Sequence, residues 1–516
     1  MKKKYRNSKQ SPLANTPVSQ QDLFIKATEY EEQAERWFLS DIKKTLRNYL
    51  LAYEFYEKAL QSNCSPSIEC TYNILYNQTR LLLQIHNDYI ATANGTINVL
   101  QYINMKDMPD ISILIQHTLP ELITKFESIH STFPQLVGWD LEFNLIVCYL
   151  QLIESSNKDI LPITDKFIQL FHHSIKFQLD ELHELENILQ DHESSSSTSL
   201  QRDTIDNNDP LKYDGSGIRT NPQNNTDIDQ TSSELMEVSD QITYQTLTDT
   251  IVYGYKYIST IMELLIESRL DDSHELTIIQ YNYLQDLINM FQLQLNDIVL
   301  TTSNQLSQTQ LQEIIINRLP LEGLNLIATD NIDALQDFSN DNFQINDLST
   351  LSPQQFVDLL MNKIDVINFA ISCSEDNQSF ELQWNLCNIM NNLLNSSKSH
   401  LTALKDAISK SPLLADKLSN VVFQLCTIYL NTSENEIRRR NLKQRQLNET
   451  KNDDTTTIIK TITILNKNAR TLLTNSIAIA QRSCGLQEYI LDKLKRNHIY
   501  LECRNALSQL EQSPAN

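Results

Sequence analysis

Residues 52–66 read AYEFYEKALQSNCSP. Ala52, Tyr56, Ala59 and Leu60 recur three and four residues apart, which puts them on one side of a helix and predicts an amphipathic helix ending before Pro66. Small and large side chains share that side. Ala52 lets a second helix come close, and Tyr56 fills the space beside the crossing. A helix of this kind needs a partner, so the fold turns on whether its neighbours repeat the pattern.

They do over most of the chain. From about residue 21 to 190 the stretches DLFIKATEYEEQAERWFL, TLRNYLLAYEFYEKAL, IECTYNILYNQTRLLLQIHNDY, LPELITKFESIH, WDLEFNLIVCYLQLIESS and ITDKFIQLFHHSIKFQLDELHELENILQ each carry Leu, Ile, Phe or Tyr at helical spacing. Residues 1–20 are polar and dotted with Pro12 and Pro17, a composition that predicts a disordered tail. Residues 191–238 are rich in Ser, Asn and Asp and have no apolar period, which predicts a disordered acidic linker. Helical spacing resumes from 239 to about 510, interrupted by a charged segment near 433–455.

Only 7 of the 516 residues are glycine, where ordinary usage gives about 36. Tight hairpins, phosphate-cradling loops and nucleotide-binding turns need glycine for positive φ or close backbone approach. Helices joined by polar turns do not, so the expected class is all-α.

In front of the opening stretch stand Leu39 and Ser40, with Ala52 twelve residues after Ser40 and Tyr56, Ala59 and Leu60 following at the spacings given above. In this arrangement the chain resembles the tetratricopeptide repeat, a helix hairpin of about 34 residues with small residues at the crossing. A second partial match is NLIVCYLQL, where Leu145 and Tyr149 keep the first-helix spacing although Ile146 fills the small position; a third is NQTRLLLQI, beginning at Asn77. Trp37, Lys43 and Pro66 depart from the family pattern. The resemblance spans residues 25–190 and implies a helix-hairpin solenoid followed by a second α-helical region, with a concave surface for protein partners. Asn77, Arg80 and Asn144 are the groove candidates it implies. A generic α-bundle is the alternative frame.

No phosphate loop, dinucleotide fingerprint, zincin motif or nucleophile elbow occurs. His172 and His173 are adjacent, so on a helix they point about 100° apart and cannot hold one ion together. The eight cysteines form no CxxC pair, and several sit in apolar runs, as reduced core residues do. No cofactor is implied. Basic residues near the start are followed by no apolar run, so neither a signal peptide nor a membrane span is expected.

Net charge is −23, from 65 acidic and 42 basic residues, which repels nucleic acid and favours a basic protein partner. Arg438, Arg439, Arg440, Lys443 and Arg445 form the one basic patch, expected either as a nuclear-import or intramolecular element or as a charged helix face. The leading expectation is a non-enzymatic protein-binding scaffold in the cytoplasm or nucleus. An escort chaperone for a basic client such as a histone or ribosomal protein is the alternative, and an all-α enzyme with dispersed residues ranks behind both.

Overall fold

The computed structural model describes residues 18–512 except 93–94, 96, 156–158, 197–240, 271–275, 342–344, 346–347, 375–379, 412–416, 450–454 and 486–487. Among the described residues the chain forms sixteen α-helices, a few single turns of tighter or wider helix, and no strand beyond an isolated bridge between Thr92 and Ile97. The helices are α1 (Gln20–Phe38), α2 (Ile42–Gln61), α3 (Ile68–Ile85), α4 (Ser112–Ile115), α5 (Leu119–Thr132), α6 (Trp139–Ser155), α7 (Ile160–Ser196) and α8 (Tyr244–Leu270). They continue as α9 (Ile278–Thr302), α10 (Gln308–Ala328), α11 (Leu335–Asn340), α12 (Pro353–Ser374), α13 (Phe380–Ser409), α14 (Leu418–Glu449), α15 (Thr455–Ala480) and α16 (Ile490–Gln512). The all-α class is therefore as expected. The tail and linker read over 1–20 and 191–238 lie outside the described residues except at their edges, where Gln20 opens α1 and α7 runs through Ser196.

Local chemistry sets where several helices begin. Ser19 accepts from the Asp22 amide at 3.0 Å and Asp22 accepts in return from the Ser19 amide at 3.1 Å, a reciprocal cap that satisfies two otherwise orphaned donors. Thr118 with Glu121, Thr277 with Gln280 and Ser307 with Gln310 repeat the device at α5, α9 and α10.

The first hairpin corrects the register drawn from the sequence. Capped by Ser19, α1 runs from Gln20 to Phe38; the amides of Ser40 and Asp41 both bond the Trp37 carbonyl, and Asp41 caps α2. Leu39 and Ser40 thus lie exposed in the turn between the helices and do not pack a crossing. Ring contacts Phe24–Tyr56 and Tyr30–Phe55 fix the antiparallel register. Ala27 and Ala34 on α1 and Ala52 and Ala59 on α2 have no exposed surface. Small residues are thus buried on both helices of the hairpin, those on α1 being alanines earlier in the chain than Ser40. Leu60 is half-buried beside them, while Leu145 and Tyr149 are buried on α6, where Tyr149 donates to Glu127 Oε1 at 2.6 Å.

The core does not divide where the composition changes. A single apolar cluster runs from Ala27 on α1 to Leu321 on α10 and joins α6 and α7 to α8 and α9. The Phe167 and Tyr257 rings stack at 3.6 Å, and Gln178 donates to Thr250 at 2.9 Å across the same seam. A second cluster reaches from Ile266 to Leu442 and a third from Val422 to Leu510. Helix α16 then returns to the start of the chain: the Ile490 amide bonds the Leu39 carbonyl at 3.1 Å, and Tyr102 meets His498 Nδ1 at 2.8 Å.

Candidate protein-docking surface

The residues expected to line a groove are instead tied into the fold. Arg80 on α3 reaches Glu31 of α1 at 2.5 Å, and Tyr56 of α2 donates to the other oxygen of the same carboxylate at 2.5 Å. Burial opposes the Arg80 charge, but Glu31, Tyr56 and Tyr76 outweigh it and hold the guanidinium above its usual range. Asn77 takes a bond from Arg80 and donates to the Asn73 carbonyl, while Asn144 donates to the Tyr76 hydroxyl at 3.1 Å. Asn77, Arg80 and Asn144 therefore help to knit α1, α2, α3 and α6 together, each keeping part of its surface exposed.

The basic patch on α14 is similarly engaged. Lys443 Nζ lies 4.4 Å from the Trp384 ring and 4.8 Å from Phe380, and Arg439 lies 4.8 Å from Trp384 while pairing with Glu436. Arg438 donates to Asn368 on α12 at 2.6 Å, and Arg440 contacts Asn441 and Asn466. Burial and then Arg470 pull Arg440 below the usual guanidinium range. Arg445 is the exposed member. Arg438, Arg439, Arg440 and Lys443 thus link α14 to α12, α13 and α15.

His172 and His173 diverge as helical geometry requires. His172 sets its ring against Phe291 on α9, and His173 Nδ1 lies 2.6 Å from Glu142 on α6. Among the described residues no three His, Cys, Asp or Glu side chains are grouped so as to hold a metal ion. Burial raises the Cys148 and Cys426 thiols to about 12, which makes both poor nucleophiles at neutral pH.

Helix α9 breaks the usual partition. Its inner side, Leu284, Ile288, Phe291 and Leu295, is buried against α7 and α8. Phe291 meets Phe171 edge to face at 5.0 Å, and Tyr255 of α8 donates to Asn296 at 2.8 Å. Gly254 on α8 makes this docking close: a Cβ there would stand 2.8 Å from Phe171 and 3.1 Å from Leu295. The outer side is apolar as well. Ile279, Met290, Leu293 and Leu300 are 82%, 60%, 70% and 75% exposed, and Ile278 and Tyr283 are exposed beside them.

The outer positions follow a rule. Ile279, Tyr283, Asp286, Met290, Leu293, Asp297 and Leu300 are separated alternately by four and three residues, the heptad spacing by which one helix packs along another. The inner side repeats the spacing from Leu284 to Thr302. A surface helix ordinarily turns its polar residues outward, whereas α9 carries two apolar seams: the inner one is buried in the fold, and the outer one is tied to it through Tyr283, which donates to Asp165 on α7 at 3.1 Å, while Ile279, Met290, Leu293 and Leu300 stay exposed among the described residues. No Lys or Arg occurs between Arg269 and Arg318, a run that includes Asp271, Asp272, Glu275, Asp286, Asp297 and Glu313.

A group of acids on α6, α8 and α12 has a different character. Burial, and then the charges of Glu267, Asp365 and Glu154, raise Glu263 on α8 to about 7, and burial raises Asp365 on α12 to about 6.

Comparison with known proteins places these features in a family. The YNL193W-like protein middle domain matches residues 152–329, and the YNL193W C-terminal domain matches residues 350–516. The uncharacterized protein YNL193W of Saccharomyces cerevisiae is 40% identical over 514 residues, covering 96% of this chain and 90% of that protein. The chain belongs to the YNL193W family. Helix α9 falls wholly within the family's middle domain, together with α7, α8 and α10, and the basic patch on α14 falls within its C-terminal domain. A solved circular tandem repeat protein with novel repeat topology also matches, at 12% identity over 96% of this chain and 98% of that one, with a TM-score of 0.23.

Proposed function

We propose that this chain is a non-enzymatic helical scaffold that holds a partner protein against the outer seam of α9. The observation that carries the reading is the exposed heptad stripe from Ile279 to Leu300. Contiguous exposed apolar surface on a folded protein marks an interaction site, and burying one such side chain contributes about 1.5–3 kcal/mol before the costs of association. The hairpins α1–α2 and α5–α6 then serve as a degenerate, tetratricopeptide-like frame, and α7 and α8 hold α9 in place.

Acidic charge supports a narrower form of the same reading, an escort for a basic client such as a histone or ribosomal protein: the net charge is −23 and the α9 region lacks any cation. The compartment in this reading is the cytoplasm or the nucleus, and the partners are proteins rather than nucleic acid or lipid. No helix among the described residues is long and apolar enough to cross a membrane.

The test is affinity capture of the full chain from its own cells beside the double variant Met290→Ser, Leu293→Ser. A partner retained by the parent and lost by the variant, at equal thermal midpoints, supports the scaffold on α9. Retention of every partner by the variant would move the docking surface elsewhere.

A further inference from the structure

The seam on α9 also constrains what can occupy it. Its spacing is that of a helix pair, so an occupant that fills it along its length is itself a helix of about three heptads. Two of its seven positions are acidic: Asp286 and Asp297, eleven residues and three turns apart, stand in line with Ile279, Tyr283, Met290, Leu293 and Leu300. Both are exposed and form no ion pair among the described residues. When a helix covers the seam these carboxylates lose water, and a carboxylate without a counter-charge is costly to bury.

A second copy of α9 does not meet that demand. The helix has no Lys or Arg, and neither does any residue from 270 to 317. A homotypic pair would bury four carboxylates with no cation from either α9. The apolar positions call for Leu, Ile or Met on the other side, while the acidic ones call for a cation on a stem long enough to lie along the seam.

Resting on the docking reading above, we infer that the partner of α9 is an amphipathic helix with an apolar heptad seam interrupted by Lys or Arg at two positions that meet Asp286 and Asp297. The apolar positions supply affinity, and the two acid–base pairs fix register and exclude acidic or uniformly apolar helices.

The inference is tested with two synthetic helical peptides of three heptads, identical except that the two interrupting seam positions are Lys in one and Glu in the other, titrated into the full chain by fluorescence anisotropy. The Lys peptide is expected to bind at least about tenfold more tightly, the advantage shrinking as salt is raised. Asp286→Asn with Asp297→Asn should abolish the difference between the peptides, and Leu293→Asp should weaken binding of both, with thermal midpoints confirming that each variant is folded. Equal binding of the two peptides to the parent chain would overturn the basic-helix inference while leaving α9 a docking surface. Binding of neither peptide would overturn both. Self-association of the chain that Leu293→Asp abolishes would make a second copy the occupant and also overturn the inference.

Discussion

The Glu31–Arg80 knot and the outer seam of α9 depart from ordinary partition in opposite senses. In the knot the fold buries charge: Glu31 lies under α2 and α3 with Arg80 and Tyr56 on its two oxygens. On α9 the fold exposes apolar side chains, with Leu293 and Leu300 more than two-thirds in water. The difference lies in whether the departure is answered within the chain. The buried carboxylate has its partners, so its role is structural. The α9 seam is left uncovered by the described residues, and its spacing fits a helix the fold does not supply, so its role points outward.

The largest expected effect comes from breaking the knot. Arg80→Ala leaves the Glu31 carboxylate buried with only Tyr56 beside it and should cost about 3 kcal/mol in urea denaturation. Replacing both partners, Glu31→Gln with Arg80→Met, should recover much of that loss, because the uncompensated charge is then gone. A cost below about 1 kcal/mol for Arg80→Ala would mean that the knot does little to hold the fold.

Overpacking at the crossings comes next. Ala52→Leu, where the α2 side chain has no exposed surface, and Gly254→Ala, pressed between Phe171 and Leu295, should each cost about 1–3 kcal/mol. The glycine variant sharpens the comparison further, because it disturbs the inner seam of α9 without touching the outer one. Unchanged stability at Gly254→Ala would show that α9 is held less closely than its contacts imply.

Glu263 is an intermediate case, a carboxylate raised to about 7 by burial and by other acids. The folded state holds a proton there between the usual carboxylate value and about pH 7, so this contribution to stability is present at low pH and is lost as pH rises through about 7. Glu263→Gln should therefore stabilise the chain by about 1–2 kcal/mol at pH 8 and change little near pH 4.5. Thermal midpoints of parent and variant across that range check the sign.

Much of the fold was legible in the sequence because helices declare themselves locally. Scarce glycine and three-to-four apolar spacing give the all-α class. The pair Ser19 and Asp22, in the spacing of a reciprocal cap, would have placed the start of α1 and with it the turn at Leu39 and Ser40. Apolar spacing alone tolerates more than one register, which is how those two residues came to be assigned to a crossing. The site was harder to read. Arg80 meets Glu31 from 49 residues away, and Lys443 meets Trp384 on another helix, so neither engagement is visible in local pattern. Glu57 of α2 likewise accepts from Gln78 of α3, 21 residues away. The α9 signal, by contrast, was present in LTIIQYNYLQDLINMFQLQLNDIVL as two interleaved heptad seams with no cation. One amphipathic seam identifies a helix of the core; the second one identified the surface.

The smallest effect on stability is expected at α9 itself. Leu293→Ser should shift unfolding by less than about 0.5 kcal/mol, because the side chain is 70% exposed and supports nothing inside the fold.

The most direct test of α9 as a docking surface is photo-cross-linking in the protein's own cells, with a photoactivatable amino acid placed at Leu293 and, as a control, at exposed Thr471 on α15. The expected result is a discrete adduct between this chain and a different protein from position 293, absent from position 471. No adduct from 293 beyond those from 471, or adducts of this chain with itself alone, would contradict it.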